Sequence, residues 1–107
     1  MREFRAIWRE EEGVEALEFG GSIDSRTAQL FGAIMETMTR AGGGDLRLYF
    51  GELQFMSSAS VGQLVMLVND RRARGRRVEL RELPEHLAAL LKRMRLDAFL
   101  GGPGKGL

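Results

Sequence analysis

Leu46-Arg47-Leu48-Tyr49-Phe50, and beyond it Phe55-Met56-Ser57-Ser58-Ala59-Ser60-Val61-Gly62-Gln63-Leu64-Val65-Met66-Leu67-Val68, is the stretch whose reading decides the fold. Leu46, Leu48 and Phe50 alternate with Arg47 and Tyr49, the period of a strand with one buried face. A short turn is expected after Phe50. From Val61 the period changes: Val61, Leu64, Val65 and Val68 fall at i, i+3, i+4 and i+7, one apolar stripe of a helix. Between them stand Ser57, Ser58, Ala59 and Ser60, where a strand must become a helix. Serine oxygens accept from the N–H groups that a helix start leaves unpaired. Ser60 followed by Gln63 has the pattern of a capping box. A serine at an exposed helix start is also a favourable place for a phosphate, because free N–H groups and the helix dipole both stabilise negative charge.

Outward from this centre, Phe4–Arg9 and Val14–Phe19 read as two strands joined at Glu11-Glu12-Gly13. Gly20-Gly21 is expected to end the second. Asp24 or Ser25 can cap the next helix, whose apolar residues are Leu30, Phe31, Ile34, Met35 and Met38. Gly42-Gly43-Gly44 ends that helix and leads into the central strand. After the central helix, Val78–Leu83 alternates as a further strand. Pro84 and Glu85 then open a last helix with Leu87, Leu90, Leu91 and Met94 on its buried stripe. Leu96, Ala98, Phe99 and Leu100 are expected to fold back on the core, and residues 101–107 to form a flexible glycine-rich tail.

The resulting order is β-β-α-β-α-β-α, a small single-domain α/β fold. It implies a four-stranded mixed sheet, parallel from the second strand onward, with the first strand added antiparallel. Leu46–Phe50 should lie near the sheet's centre, with Leu30, Ile34, Leu64, Val68, Leu87 and Leu91 buried.

Composition limits function. At 107 residues with 44% hydrophobic and 29% charged, the chain suits one soluble domain. The absence of cysteine excludes disulfides and thiolate metal sites and suits a reducing compartment. No run approaches the about 18 apolar residues of a membrane span, and the N-terminus does not read as a signal peptide. A cytoplasmic location is therefore the expectation, with no membrane partner. His86 is the sole histidine, so no nucleophile–histidine pair is expected beyond it, and it reads as a plain surface residue. No metal-ligand spacing is visible, and neither a cofactor nor catalysis is expected.

Arg71, Arg72, Arg74, Arg76, Arg77 and Arg81 face only Asp70 and Glu79 within residues 70–81, a local net of +4. The favoured reading is a solvated helix end that complements the dipole, the alternative a docking surface for an acidic partner. Nucleic acid is not expected, since no wide basic face with aromatic residues is visible.

Phe55-Met56-Ser57-Ser58-Ala59-Ser60-Val61-Gly62-Gln63-Leu64 resembles the F-[IM]-D-S-S-G-L-G-x-L signature of STAS domains, the family of bacterial anti-sigma factor antagonists. The resemblance runs from about Phe4 to Phe99, and Gly21-Ser22-Ile23-Asp24 matches the family's G-x-[IL]-D segment. It implies a STAS-like domain over residues 1–100, with helices mainly on one face of the sheet. It also implies a regulator that switches protein partners, binding an anti-sigma factor or a related serine kinase or phosphatase. Asp24, Met56, Ser57, Ser58, Ala59, Ser60, Val61 and Gln63 are then the expected partner-binding residues. In the gapless alignment Ala59 occupies the family's phosphoacceptor position and Ser57 that of the preceding aspartate. Phosphorylation would then fall on Ser58 or Ser60, with Ser57 the weaker candidate, or be absent. The alternative is a STAS scaffold or sensor subunit of a larger signalling complex, binding a small ligand or nucleotide and lacking a phospho-switch.

Overall fold

A computed structural model describes residues 3–41 and 43–93. The expectations for Gly42, Met94, Leu96, Ala98, Phe99, Leu100 and the tail lie outside the described residues.

Strands β1 (Arg5–Glu11), β2 (Val14–Ile23), β3 (Leu46–Met56) and β4 (Val78–Arg81) form one sheet in the order β1-β2-β3-β4. β1 pairs antiparallel with β2, while β2–β3 and β3–β4 are parallel. Helices α1 (Ala28–Ala41), α2 (Ser58–Ala73) and α3 (Glu85–Arg93) complete the β-β-α-β-α-β-α order. Both parallel crossovers advance the same way across the sheet, so right-handedness sends α1 and α2 to one face. The core gathers Leu17, Phe19, Leu48 and Phe50 from the sheet with Phe31, Met35, Leu64, Val68, Leu87 and Leu91 from the helices.

The opposite face is polar and held by paired charges. Tyr49 donates to a Glu11 carboxylate oxygen at 2.7 Å, and Arg9 bonds Glu18 at 2.9 Å and Glu11 at 3.0 Å. Arg47 reaches Glu11, Glu12 and Glu79. The guanidinium groups of Arg9 and Arg81 lie 5.2 and 5.9 Å from the centre of the Tyr49 ring, within cation–π range.

Two strands are longer than expected, for one reason. Glu18 pairs with Tyr49 but Gly20 with Glu52, and Gly21 pairs with Leu53 but Ser22 with Phe55. Each step inserts one extra residue into β3, so the strand continues through two bulges instead of turning after Phe50. Burial accordingly changes from Leu46, Leu48 and Phe50 to the wider steps Leu53 and Met56, and Phe55 is turned outward, 48% exposed. Gly20-Gly21 lies inside β2 and does not end it. Gly21 has φ +84°, and a Cβ there would overlap the Glu3 carbonyl, so a side chain is excluded. Glu82, at φ 58°, follows the end of β4 at Arg81, two residues before the expected limit at Leu83.

Leu64, Val68, Leu87 and Leu91 are buried as expected, whereas Ile34 is half-buried. Leu30 is not buried. It is 55% exposed, because the stripe of α1 is centred on Phe31, Met35 and Met38. A neighbouring residue on a helix is rotated by about 100°, which carries Leu30 off the stripe.

Arg71 departs from the reading of its cluster as solvated. It is 1% exposed, donating from Nη1 to the Gly44 carbonyl at 2.6 Å and from Nη2 to the Met38 carbonyl at 2.8 Å. Its guanidinium satisfies a carbonyl near the end of α1, where helix geometry leaves acceptors unpaired, and fastens the α1–β3 loop to α2. Arg72, Arg74, Arg76 and Arg77 are exposed, with Arg74 bonded to Asp70 at 2.9 Å.

Candidate functional site

The strand-to-helix junction is built by its serines. Ser57 is the N-cap of α2, in extended conformation with φ −70° and ψ 155°. Its N–H donates to the Ile23 carbonyl at 3.0 Å, continuing the β2–β3 pairing, and its hydroxyl oxygen accepts from the Ser60 N–H at 3.3 Å. The Ser57 hydroxyl also lies 3.0 Å from that of Ser60. The cap is therefore Ser57, three residues before the expected box at Ser60. Ser60 is instead a first-turn residue, fully buried.

These bonds distribute the first turn's donors. Ser57 N–H is taken by the sheet and Ser60 N–H by the cap. The N–H groups of Ser58 and Ala59 have no partner within the helix, by helix geometry. Both residues are exposed, so the Ser58 hydroxyl meets solvent at the positive end of the α2 dipole. Met56 and Val61 face the core and present no side chain outward. Gln63 is half-buried and packs over Gly32 of α1, where an added Cβ would lie 2.5 Å from the Gln63 amide nitrogen.

Asp24 builds the neighbouring corner. Its Oδ1 accepts from the Arg26 N–H at 2.9 Å and the Thr27 N–H at 3.3 Å, while its own N–H donates to Thr27 Oγ1 at 3.0 Å. The backbone N–H of Arg26, first among these, holds the Asp24 carboxyl below its ordinary range. Asp24 is thus a capping residue ahead of α1. Asp24 also lines an open hollow of about 440 Å³ with Glu3, Phe4, Ser22, Arg26, Thr27 and Leu30.

Sequence reasoning missed what surrounds these corners. Gln54–Asn69 contains no charged residue, and neither does Thr27–Met35, in a chain that is 29% charged. Within these two uncharged stretches Leu30, Phe55 and Met66 stand 55%, 48% and 70% exposed. Ala59 and Met66, seven residues apart, share one face of α2. The missing charges were readable in the chain, but the outward turn of Phe55 depends on the bulges. Among the described residues no group of three His, Cys, Asp or Glu side chains is placed to hold a metal, and no helix is long and apolar enough to cross a membrane.

The family model described as Mlab, STAS domain matches residues 8–101. The chain belongs to the STAS domain family. Solved structures agree on the fold of this STAS domain. An anti-sigma factor antagonist from Mycobacterium paratuberculosis superposes with a TM-score of 0.74 at 16% identity, covering 92% of this chain and 83% of the other. A putative anti-sigma factor antagonist from Thermotoga maritima gives 0.76 at 18% identity, covering 88% and 81%. The Bacillus cell fate determinant SpoIIAA in its phosphorylated form gives 0.71 at 16% identity, covering 96% and 93%. No match was found among curated protein sequences.

Proposed function

We propose that this STAS domain is a non-enzymatic regulator that docks a protein partner on the uncharged surface of α1 and α2 and is switched by a phosphate on Ser58. The observation that carries this reading is the placement of exposed Ser58 at the open start of α2, beside exposed Ala59, whose helix face continues to exposed Met66 two turns on. Exposed apolar residues within two uncharged stretches, Thr27–Met35 and Gln54–Asn69, suit a desolvated protein interface. A phosphate at its margin would add close to two negative charges where the partner must be desolvated. The partner class is an anti-sigma factor or a related serine kinase or phosphatase, in line with the antagonists that share the fold. Asp24, Ser58, Ala59 and Gln63 are the proposed contact residues, with Leu30, Phe55 and Met66 added, while half-buried Ser57 is engaged as the helix cap. Met56, Ser60 and Val61 support that surface from beneath.

Of the candidate acceptors, Ser58 is preferred on exposure. Ser60 is fully buried, and its modification would require the first turn of α2 to open. The presence of Ala59 at the family's phosphoacceptor position favours a second reading, a docking subunit of a larger signalling complex using the same surface without a phosphate. The two are separated by capturing partners from extracts of the native cells on the wild-type chain and on Ser58→Asp, identifying them by mass spectrometry. A partner lost only from Ser58→Asp supports the switch; one retained equally by both supports the constitutive subunit.

A further inference from the structure

Among the described residues β1 is an edge strand, and its outer edge carries a self-complementary pattern. β1 and β2 are joined by the two-residue turn Glu12-Gly13, whose φ values of 54° and 81° are those of a type I′ hairpin. Glu11 and Val14 close that hairpin as a hydrogen-bonded pair, so Arg5, Ile7, Arg9 and Glu11 direct their backbone groups toward β2. Ala6, Trp8 and Glu10 direct theirs outward, where β1 has no neighbour in the sheet among the described residues. Ile7 and Trp8 are each 47% exposed, one on either face of the same edge. Charged residues flank these two, but an edge with unpaired backbone groups and exposed apolar side chains is still a template for pairing.

We infer that β1 pairs antiparallel with β1 of a second copy of this chain, with Trp8 opposite the partner's Trp8. Antiparallel pairing of identical edges places the two-fold axis perpendicular to the sheet. Residues then meet only residues of their own face, which restricts the possible registers. Centring on Ile7 sets Arg5 against the partner's Arg9, and centring on Arg9 sets that arginine against its own copy. Centring on Trp8, the midpoint of β1, sets Arg5 against the partner's Glu11 on the polar face, and Glu11 against the partner's Arg5. This register also joins outward-directed groups throughout: Trp8 with the partner's Trp8, and Ala6 with the partner's Glu10. Opposite charges at directly facing positions favour it over its neighbours, which face arginine with arginine. Arg5 is available for the exchange, since its contact with Glu52 is long at 3.9 Å and both side chains are well exposed. One strand of seven residues forms a small interface, below the roughly 1,200 Å² of standard complexes, so the dimer is weak and concentration-dependent. Its axis uses none of the residues of the α1–α2 surface.

Sedimentation equilibrium of the whole chain, from micromolar to millimolar concentration, tests the proposal together with the fluorescence of Trp8, the sole tryptophan. The mass should rise from 12.0 kDa toward twice that value, while the emission shifts to the blue and acrylamide quenching falls. Arg5→Glu places like charges at two symmetric pairings and should raise the dissociation constant about ten-fold or more. Glu10→Pro removes an outward N–H without taking a bond from β2 and should do the same, with far-UV circular dichroism confirming that both variants fold. A single-chain mass at millimolar concentration overturns the proposal. So does a dimer that both variants leave intact, since it would use another surface.

Discussion

The hydroxyl of Ser57 sits 3.0 Å from that of Ser60 while accepting the Ser60 N–H at 3.3 Å, so one serine caps the helix and the other buries its side chain against the cap. The two serines therefore differ in cost. Ser57→Ala removes the acceptor for the first turn and should destabilise the domain by about 1 kcal/mol, a fall in Tm of about 4–8 °C. Ser60→Ala leaves the Ser60 N–H bonded to Ser57 and should cost less than half as much. Thermal unfolding of the pair checks the ranking; equal losses would place the cap elsewhere.

Arg71 should behave unlike its neighbours in sequence. Arg71→Ala leaves the Met38 and Gly44 carbonyls without their charged donor and opens a void between α1 and α2, at a cost of about 2–4 kcal/mol. Arg71→Lys should recover only part of this, because one ammonium cannot reproduce the planar fork. Arg76→Ala, at an exposed position, should stay within about 0.5 kcal/mol of wild type. Urea unfolding of the three variants measures the contrast.

The polar face should make stability sensitive to acid. The Tyr49 hydroxyl, ahead of Arg9 and Arg47, holds the Glu11 carboxyl below the usual glutamate range. The folded chain thus takes up this proton at lower pH than the unfolded chain. The stabilisation is present above the ordinary glutamate pKa and is lost as pH falls through the depressed value. Glu11→Gln still offers Tyr49 an acceptor but does not titrate, so stability measured against pH should fall less steeply on the acid side than in wild type. Parallel acid limbs would remove Glu11 from the account.

Much of this architecture was legible because the periods were clean. The alternation of Leu46, Leu48 and Phe50 and the stripe of Val61, Leu64 and Val68 each signal one element, and the motif between them points to the family. The end of β3 was not legible. Its two bulges replace a two-residue period by steps of three, which a regular alternation cannot describe. The passage of β2 through Gly20-Gly21 was hidden likewise, since paired glycines ordinarily punctuate a strand, whereas here Gly21 admits the Glu3 backbone. Three serines in four positions could each serve as cap. The selection of Ser57 follows from its N–H bond to Ile23, a contact between distant segments. Arg71 is one of fourteen arginines, and only the docking of α1 against α2 makes it an interior residue.

Ser58 is the residue proposed to carry the switch. Phosphate added there lies at the positive end of α2, where the fold tolerates it, so its effect should fall on the partner. Ser58→Asp should keep the Tm within about 4 °C of wild type, equivalent to less than about 1 kcal/mol. Ser57→Asp serves as the control, because the family pattern carries an aspartate at that position. The most direct measurement combines phosphosite mapping of the protein isolated from its native cells with titration of the captured partner against wild type and both aspartate variants. A phosphoserine at Ser58 is expected, with about ten-fold or greater weakening for Ser58→Asp and binding by Ser57→Asp near wild type. Unmodified Ser58 together with wild-type binding by Ser58→Asp would contradict the switch.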